Sequence, residues 1–396
     1  MYFLQGIGEP TDGLSTQPVI ALLKFWEIGP QRISTFTALL GIPWALKPLY
    51  GMLTDFVPLA GYRRKSYLVT SNLLAMVGFF SLYAFPPSRG DDMWLLLALL
   101  LPTIGVAFAD VVIDALMVEH GQPLGLTGRF QSIQWAALWG ANICIGVVGG
   151  HLSAQALHHI AFLICGIAAS VMLVLSVTLV KEPAHQGVRG SLRRAARELW
   201  KTARTRSVFG AGLFLFLWSF NPFSAAVLNL YVTKTMQLGE EFYGYTQSIY
   251  AIAAMLACVA YGYYCRRFSM RALVHASIVL GIITTLAYWA LTDRASACAV
   301  FAVAGFAYMT AMLVQLDLAA QSCPIGSAGT TFALVMALSN LGTSTSSWVG
   351  GYLYEDGIAR WGEFTAFHVL VGIGALFTAG CWLVVPLLRP VLNQDP

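Results

Sequence analysis

Apolar runs of about 20 residues, each long enough to cross the hydrocarbon core of a bilayer as a helix, follow one another along nearly the whole chain with short polar breaks between them. The pattern predicts about twelve membrane-spanning helices, near 1–23, 34–54, 66–86, 94–118, 131–155, 158–180, 208–235, 243–264, 272–292, 297–320, 329–354 and 364–388. The first run is the weakest, because Glu9, Pro10, Asp12 and Pro18 all fall inside it. A signal peptide is the competing reading there, but the run lacks the basic start and the uninterrupted apolar centre such a peptide needs. The longest polar break divides the chain into an amino-terminal half (1–180), a basic cytoplasmic linker (181–207) and a carboxy-terminal half (208–396). Within the linker, Leu192, Ala195, Ala196, Leu199 and Trp200 share one helix face, which suits a surface helix on anionic headgroups or a solvated connector.

Composition fits that picture. With 57% hydrophobic and 11% charged residues and a mean hydropathy of +0.68, the chain lies far from the roughly 25% charge of a soluble domain. An integral, multi-pass membrane protein in contact with lipid is expected, with no nucleic-acid partner. Basic residues such as Arg63, Arg64, Lys65, Arg193, Arg194, Arg197 and Lys201 gather in alternate breaks. By the positive-inside rule both termini are cytoplasmic, and a bacterial inner (plasma) membrane is the expected location. Seven cysteines, among them Cys265 and Cys323, are scattered over apolar runs without a C-x-x-C pair, so they read as core filler with no metal or disulfide framework.

The two halves repeat. Gly128, Gly149, Gly150 and Leu152 recur 201 positions later as Gly329, Gly350, Gly351 and Leu353, and Gly105-x-Ala107 recurs as Gly305-x-Ala307. Parallel six-helix halves of this kind place a substrate site near the bilayer midplane, between the repeats.

Charges inside spans are costly and call for a partner or a task. Glu9, Asp12, Lys47, Asp110, Asp114 and Asp317 are of this kind. Asp110 and Asp114, at i,i+4, share a helix face, and so do Glu9 and Asp12 at i,i+3. Lys47 and Asp110 lie at similar depths, so an ion pair between them competes with a role for Lys47 in binding a substrate carboxylate. Asp55, Arg63, Arg64 and Asp114 fall near the inner surface and suit a gating latch, with topogenic charge and helix capping as the plainer account. Asn221-Pro222 interrupts the seventh span, where freed carbonyls can line a cavity. Trp135 and Tyr231 are candidates to stack on a flat ring.

Several runs carry a family resemblance. P-W-A-L-K-P-L-Y-G-M-L-T-D (Pro43–Asp55) with P-L-A-G-Y-R-R-K-S-Y-L (Pro58–Leu68), A-D-V-V-I-D-A-L (Ala109–Leu116), G-R-F-Q-S-I-Q-W (Gly128–Trp135), L-A-A-Q-S-C-P (Leu318–Pro324) and T-F-A-L-V-M-A-L-S-N-L-G (Thr331–Gly342) resemble the folate-biopterin transporter family of the major facilitator superfamily. Gln321 and Ala328 stand where that family carries an Arg and an acidic residue. The resemblance implies an all-α major facilitator fold and secondary transport of a folate or pterin-like small molecule. Titratable carboxylates within the spans point to protons as the coupling ion, and no cofactor is expected. Glu9, Asp12, Lys47, Asp110, Trp135, Asn221 and Asp317 are then the candidates for substrate or proton binding. A permease for another metabolite, such as a muropeptide or an S-adenosylmethionine-like compound, is the alternative. An intramembrane enzyme using Asp110 and Asp114 finds no supporting P-loop, H-E-x-x-H or G-x-S-x-G motif.

Overall fold

The computed structural model describes residues 1–121, 127–183, 192–264, 268–322 and 328–392; Cys265 and the Cys323-Pro324 pair lie outside them. The described residues form helices and no strand. Among the described residues, eight helices are long and apolar enough to cross a membrane. The other four of the expected spans depart from that standard for visible reasons.

Three are interrupted. The first span is α1 (Tyr2–Gly8) and α2 (Thr16–Phe25), the second α3 (Pro30–Ala45) and α4 (Lys47–Phe56). Pro10 has no N–H to continue α1 and excludes helical geometry from the residue before it, so Glu9 is extended, at φ −76° and ψ 122°. Glu9 and Asp12 therefore sit on an unwound segment, and the shared helix face expected of them does not exist. Pro43, inside the end of α3, and Pro48, in the first turn of α4, flank the second interruption, a single-residue break at Leu46. After α5 (Lys65–Ala84), α6 (Asp92–Gly121), α7 (Thr127–Ala154), α8 (His158–Thr178) and the linker helix α9 (Leu192–Ala203), the seventh span breaks between α10 (Arg206–Ser219) and α11 (Ala225–Leu230) at Asn221-Pro222. A π-helical turn, Tyr231–Thr235, completes it. The chain continues through α12 (Glu240–Tyr264), α13 (Met270–Ala287), α14 (Arg294–Ser322), α15 (Ala328–Trp361) and α16 (Glu363–Val384). The eleventh span, α15, is continuous, but its T-S-T-S-S stretch (Thr343–Ser347) dilutes its hydropathy.

Two helix pairs carry most of the packing between the halves: α3 packs on α15 and α7 on α12. Glycines allow the second approach. A Cβ on Gly146 would meet the Gly244 carbonyl oxygen at 2.6 Å, and one on Gly150 the Gly244 Cα at 2.9 Å; close backbone packing of this kind holds membrane helices together where no hydrophobic drive exists between them. The core is distributed unevenly. At the end of the bundle where Lys24 lies, one cluster runs across both halves, from Leu23, Phe36, Phe79 and Phe162 to Tyr231, Phe301 and Phe367. Toward the Asp55 end each half keeps a cluster of its own, around Leu68, Val112 and Met172 in the first and Phe214, Val274 and Leu318 in the second, and a smaller one on Ala254, Ala257 and Met309 takes in Trp135 and Trp139 from the first half.

Candidate functional site

The interrupted first and second spans and the fourth span together build a charged cluster. Lys47, the first residue of α4, pairs with Asp110 of α6 at 2.7 Å, with both side chains less than a fifth exposed. Its ammonium also lies 4.5 Å from the centre of the Trp44 ring. The other carboxylate oxygen of Asp110 accepts a 2.6 Å bond from Gln5 Nε2. One helical turn on, Asp114 accepts bonds from the Tyr2 hydroxyl at 2.9 Å and from Gln134 Nε2 at 3.1 Å. The i,i+4 spacing of Asp110 and Asp114 thus matches the i,i+3 spacing of Tyr2 and Gln5 on α1, which lies along that face of α6. Glu9 accepts a 2.7 Å bond from Thr11 and is close enough to Asp12, Asp110 and Lys47 to interact electrostatically.

Asp55, Arg63 and Arg64 form a separate group. Arg64 donates to Asp55 at 2.7 Å and to the Thr54 hydroxyl at 2.6 Å, and Arg63 lies 3.5 Å from Asp55. Asp114, expected with them, is instead held by Tyr2 and Gln134 in the Lys47 cluster. The span-four aspartate is drawn away because α1 packs against α6 and supplies donors. Glu182, which the sequence did not single out, accepts the backbone N–H groups of Arg63, Arg64 and Lys65 at 2.8–3.2 Å.

The remaining candidates are dispersed. Asp317 accepts a 2.5 Å bond from Tyr261 on α12. Asn221 sits in the seventh-span break, its backbone carbonyl accepting from Ser346 at 3.1 Å and its side-chain oxygen buried without a partner among the described residues. Trp135 packs beside Trp139 on Ala254, Ala257 and Met309. Tyr231 is no free stacking surface: its ring lies flat on Phe367, 3.9 Å between centroids and 7° between planes, in the core.

A second charged pair was missed. Lys24, at the end of α2, is buried and bonds Glu240 at the start of α12, with further bonds to Asn229 at 2.7 Å and Thr233 at 2.8 Å. Gln17 adds a 2.6 Å bond to the Glu240 carbonyl. All five residues are joined across the boundary between halves.

The BT1 family profile matches residues 5–396. The chain belongs to the BT1 family. Over 418 residues this BT1 member is 28% identical to the folate-biopterin transporter of Synechocystis sp., covering 100% of its own length and 81% of that protein. It is 26% identical to probable folate-biopterin transporter 4 of Arabidopsis thaliana, over 78% of each chain. Among solved structures, it resembles a D-xylose-proton symporter (TM-score 0.72, 16% identity, 96% of this chain and 95% of that one) and the nucleoside transporter NupG (TM-score 0.67, 14% identity, 97% of each). Those structural likenesses establish the major facilitator fold. The BT1 protein is accordingly an integral, multi-pass membrane transporter of a small molecule, and not an enzyme.

Proposed function

We propose that this transporter carries a folate or pterin-like compound coupled to protons, by alternating exposure of a site between its halves. The observation that carries the reading is the cluster around Lys47: one half-buried ammonium pairs with Asp110 and interacts with the carboxylates of Asp114 and Glu9, the latter beside Asp12. A surplus of intramembrane carboxylates is a proton-exchanging arrangement, and Lys47 is a counter-charge that an anionic group of the cargo can share with Asp110. The relatives named folate-biopterin transporters support the choice of cargo. Asp317 with Tyr261 offers a further proton-binding place, and Asn221 a polar one in the opposing half. Asp55, Arg63 and Arg64 act in gating at the end of the bundle that we assign to the cytoplasm of a bacterial inner membrane, together with both termini.

Uptake of labelled folate and biopterin into proteoliposomes tests this. Accumulation should rise with an inward proton gradient and collapse with a protonophore. Uptake that ignores the protonophore and follows sodium overturns the coupling ion. A protein stabilised against heat by a muropeptide or by S-adenosylmethionine, and by neither folate nor pterin, overturns the cargo.

A further inference from the structure

The S-N-L-G run of α15 (Ser339–Gly342) stands outside the charged cluster, yet three of its residues make specific contacts. Ser339 Oγ lies 2.7 Å from Ser219 Oγ at the end of α10. A Cβ on Gly342 would meet the Phe216 carbonyl oxygen at 2.6 Å, so α10 and α15 approach too closely for a side chain there. Both contacts stay within the carboxy-terminal half. Asn340 reaches the other half: its Nδ2 donates to the Trp44 carbonyl oxygen of α3 at 3.2 Å.

That carbonyl needs an outside donor. In an unbroken helix it would accept from the residue four positions on, but that residue is Pro48, which has no N–H. Among the described residues no backbone N–H takes its place, and an acceptor left unpaired inside a membrane bundle is costly. Trp44 and Lys47 flank the break at Leu46, with the Trp44 ring 4.5 Å from the Lys47 ammonium and that ammonium 2.7 Å from Asp110. Without Asn340, the nearest donor along the chain is the N–H of Lys47 itself. Bonding it would close a 3₁₀ turn and re-aim the side chain that starts from the same residue. We propose that Asn340 is a positioning residue for Lys47, which by holding the Trp44 carbonyl keeps the ammonium between Asp110 and the Trp44 ring. The proposal rests on the reading of Lys47 as a counter-charge for the cargo. Because Asn340 belongs to one half and Lys47 to the other, the setting of the ammonium depends on how the halves are packed at this level, and the charged cluster is thereby tied to the transport cycle.

Two measurements on the purified full-length protein test this: the rate at which a small activated ester acetylates Lys47, followed by mass spectrometry, and equilibrium binding of labelled folate. Asn340→Leu roughly keeps the volume and removes the donor. It should speed acetylation of Lys47 about fivefold and weaken folate binding by a similar factor. Lys24, buried in its own pair with Glu240, should react at the parent's rate. Pro48→Ala returns an N–H to the Trp44 carbonyl, so in that background Asn340→Leu should change neither measurement by more than about twofold. Unchanged acetylation of Lys47 in Asn340→Leu overturns the proposal, and so does a rise shared equally by Lys24, which is general loosening of the bundle. An undiminished effect in the Pro48→Ala background excludes the Trp44 carbonyl as the route. Should Asn340→Leu fail to fold, the double variant with Pro48→Ala decides: a folded protein with the parent's Lys47 reactivity upholds the assignment, and one that again fails to fold, or that exposes Lys47, overturns it. If the parent binds no folate while Lys47 acetylation behaves as stated, the cargo reading falls and the positioning role stands.

Discussion

Removing the Lys47 ammonium strands Asp110, whose second oxygen is held by Gln5, as an unpaired charge inside the bundle. Breaking a buried pair from one side costs about 3–5 kcal/mol, whereas removing both partners avoids the stranded charge. Lys47→Ala is therefore expected to be strongly destabilised and the double change with Asp110→Ala to recover most of that loss, as measured by thermal unfolding in detergent. Transport should stay absent in both if the pair also serves the cycle. A double variant that transports normally would leave Lys47 with a structural role alone. Lys47 and Asp110 were legible in the sequence because a charge inside an apolar run stands out on its own. Lys24 and Glu240 were not, for they sit at the ends of their spans, where a charge is ordinarily a boundary marker. Their partnership spans 216 positions and leaves no local pattern. Tyr231 misled for a related reason: tyrosine is common in membrane helices, and only the fold shows its ring taken up by Phe367.

At the scale of elements, interruption is what the apolar pattern recorded least well. Pro10 interrupts the first span and the Asn221-Pro222 pair the seventh. Pro10 was seen in the sequence as a weakness of the first run, but the length of the unwound stretch was set by packing. The start of α5 shows another contribution from outside the element. Its cap residue, Arg64, makes no side-chain cap bond to the helix, and Glu182 from beyond α8 satisfies the N–H groups of Arg63, Arg64 and Lys65 instead. Partial burial pushes the Glu182 carboxyl up, but those three N–H bonds and the Arg64 charge outweigh it and hold it below the usual carboxylate range. The sign follows from linkage: a depressed carboxyl adds stability above its unfolded value, near 4.3, and loses it as the pH falls through the folded value. Glu182→Gln should lower Tm by about 2–4 °C at pH 7, and its melting curve should converge on that of the parent protein as the pH is taken below about 4. A deficit that persists undiminished in acid would mean that the clamp works through shape and not charge.

The whole molecule is caught sealed at one end. Its largest continuous cluster of buried apolar side chains joins the halves around Lys24, while toward Asp55 the larger clusters each belong to one half and only a smaller one, Trp135 and Trp139 on Ala254, Ala257 and Met309, bridges them. Alternating access requires the Lys24 end to open in turn, which means parting α3 from α15 and α7 from α12. Apolar contacts and glycine packing hold this seam without direction, but the Lys24–Glu240 pair with Asn229 and Thr233 adds a charged lock whose partners all separate in the same movement. Replacing Lys24 by Met should shift the population toward the state open at that end, since each 1.4 kcal/mol removed from the closed state changes the ratio about tenfold. A reporter sits on the seam: Thr37 lies 3.2 Å from Ser347 across the halves. In a cysteine-free background, Thr37→Cys should react with a membrane-impermeant maleimide about ten times faster when Lys24→Met is present, and net transport should slow because the closed state is visited less. Reversing the pair, with Lys24→Glu and Glu240→Lys together, restores the attraction across the same seam and should return labelling toward that of the parent. If Lys24→Met leaves the labelling rate unchanged, the seam is held by its apolar packing and the charged pair has no part in the gate.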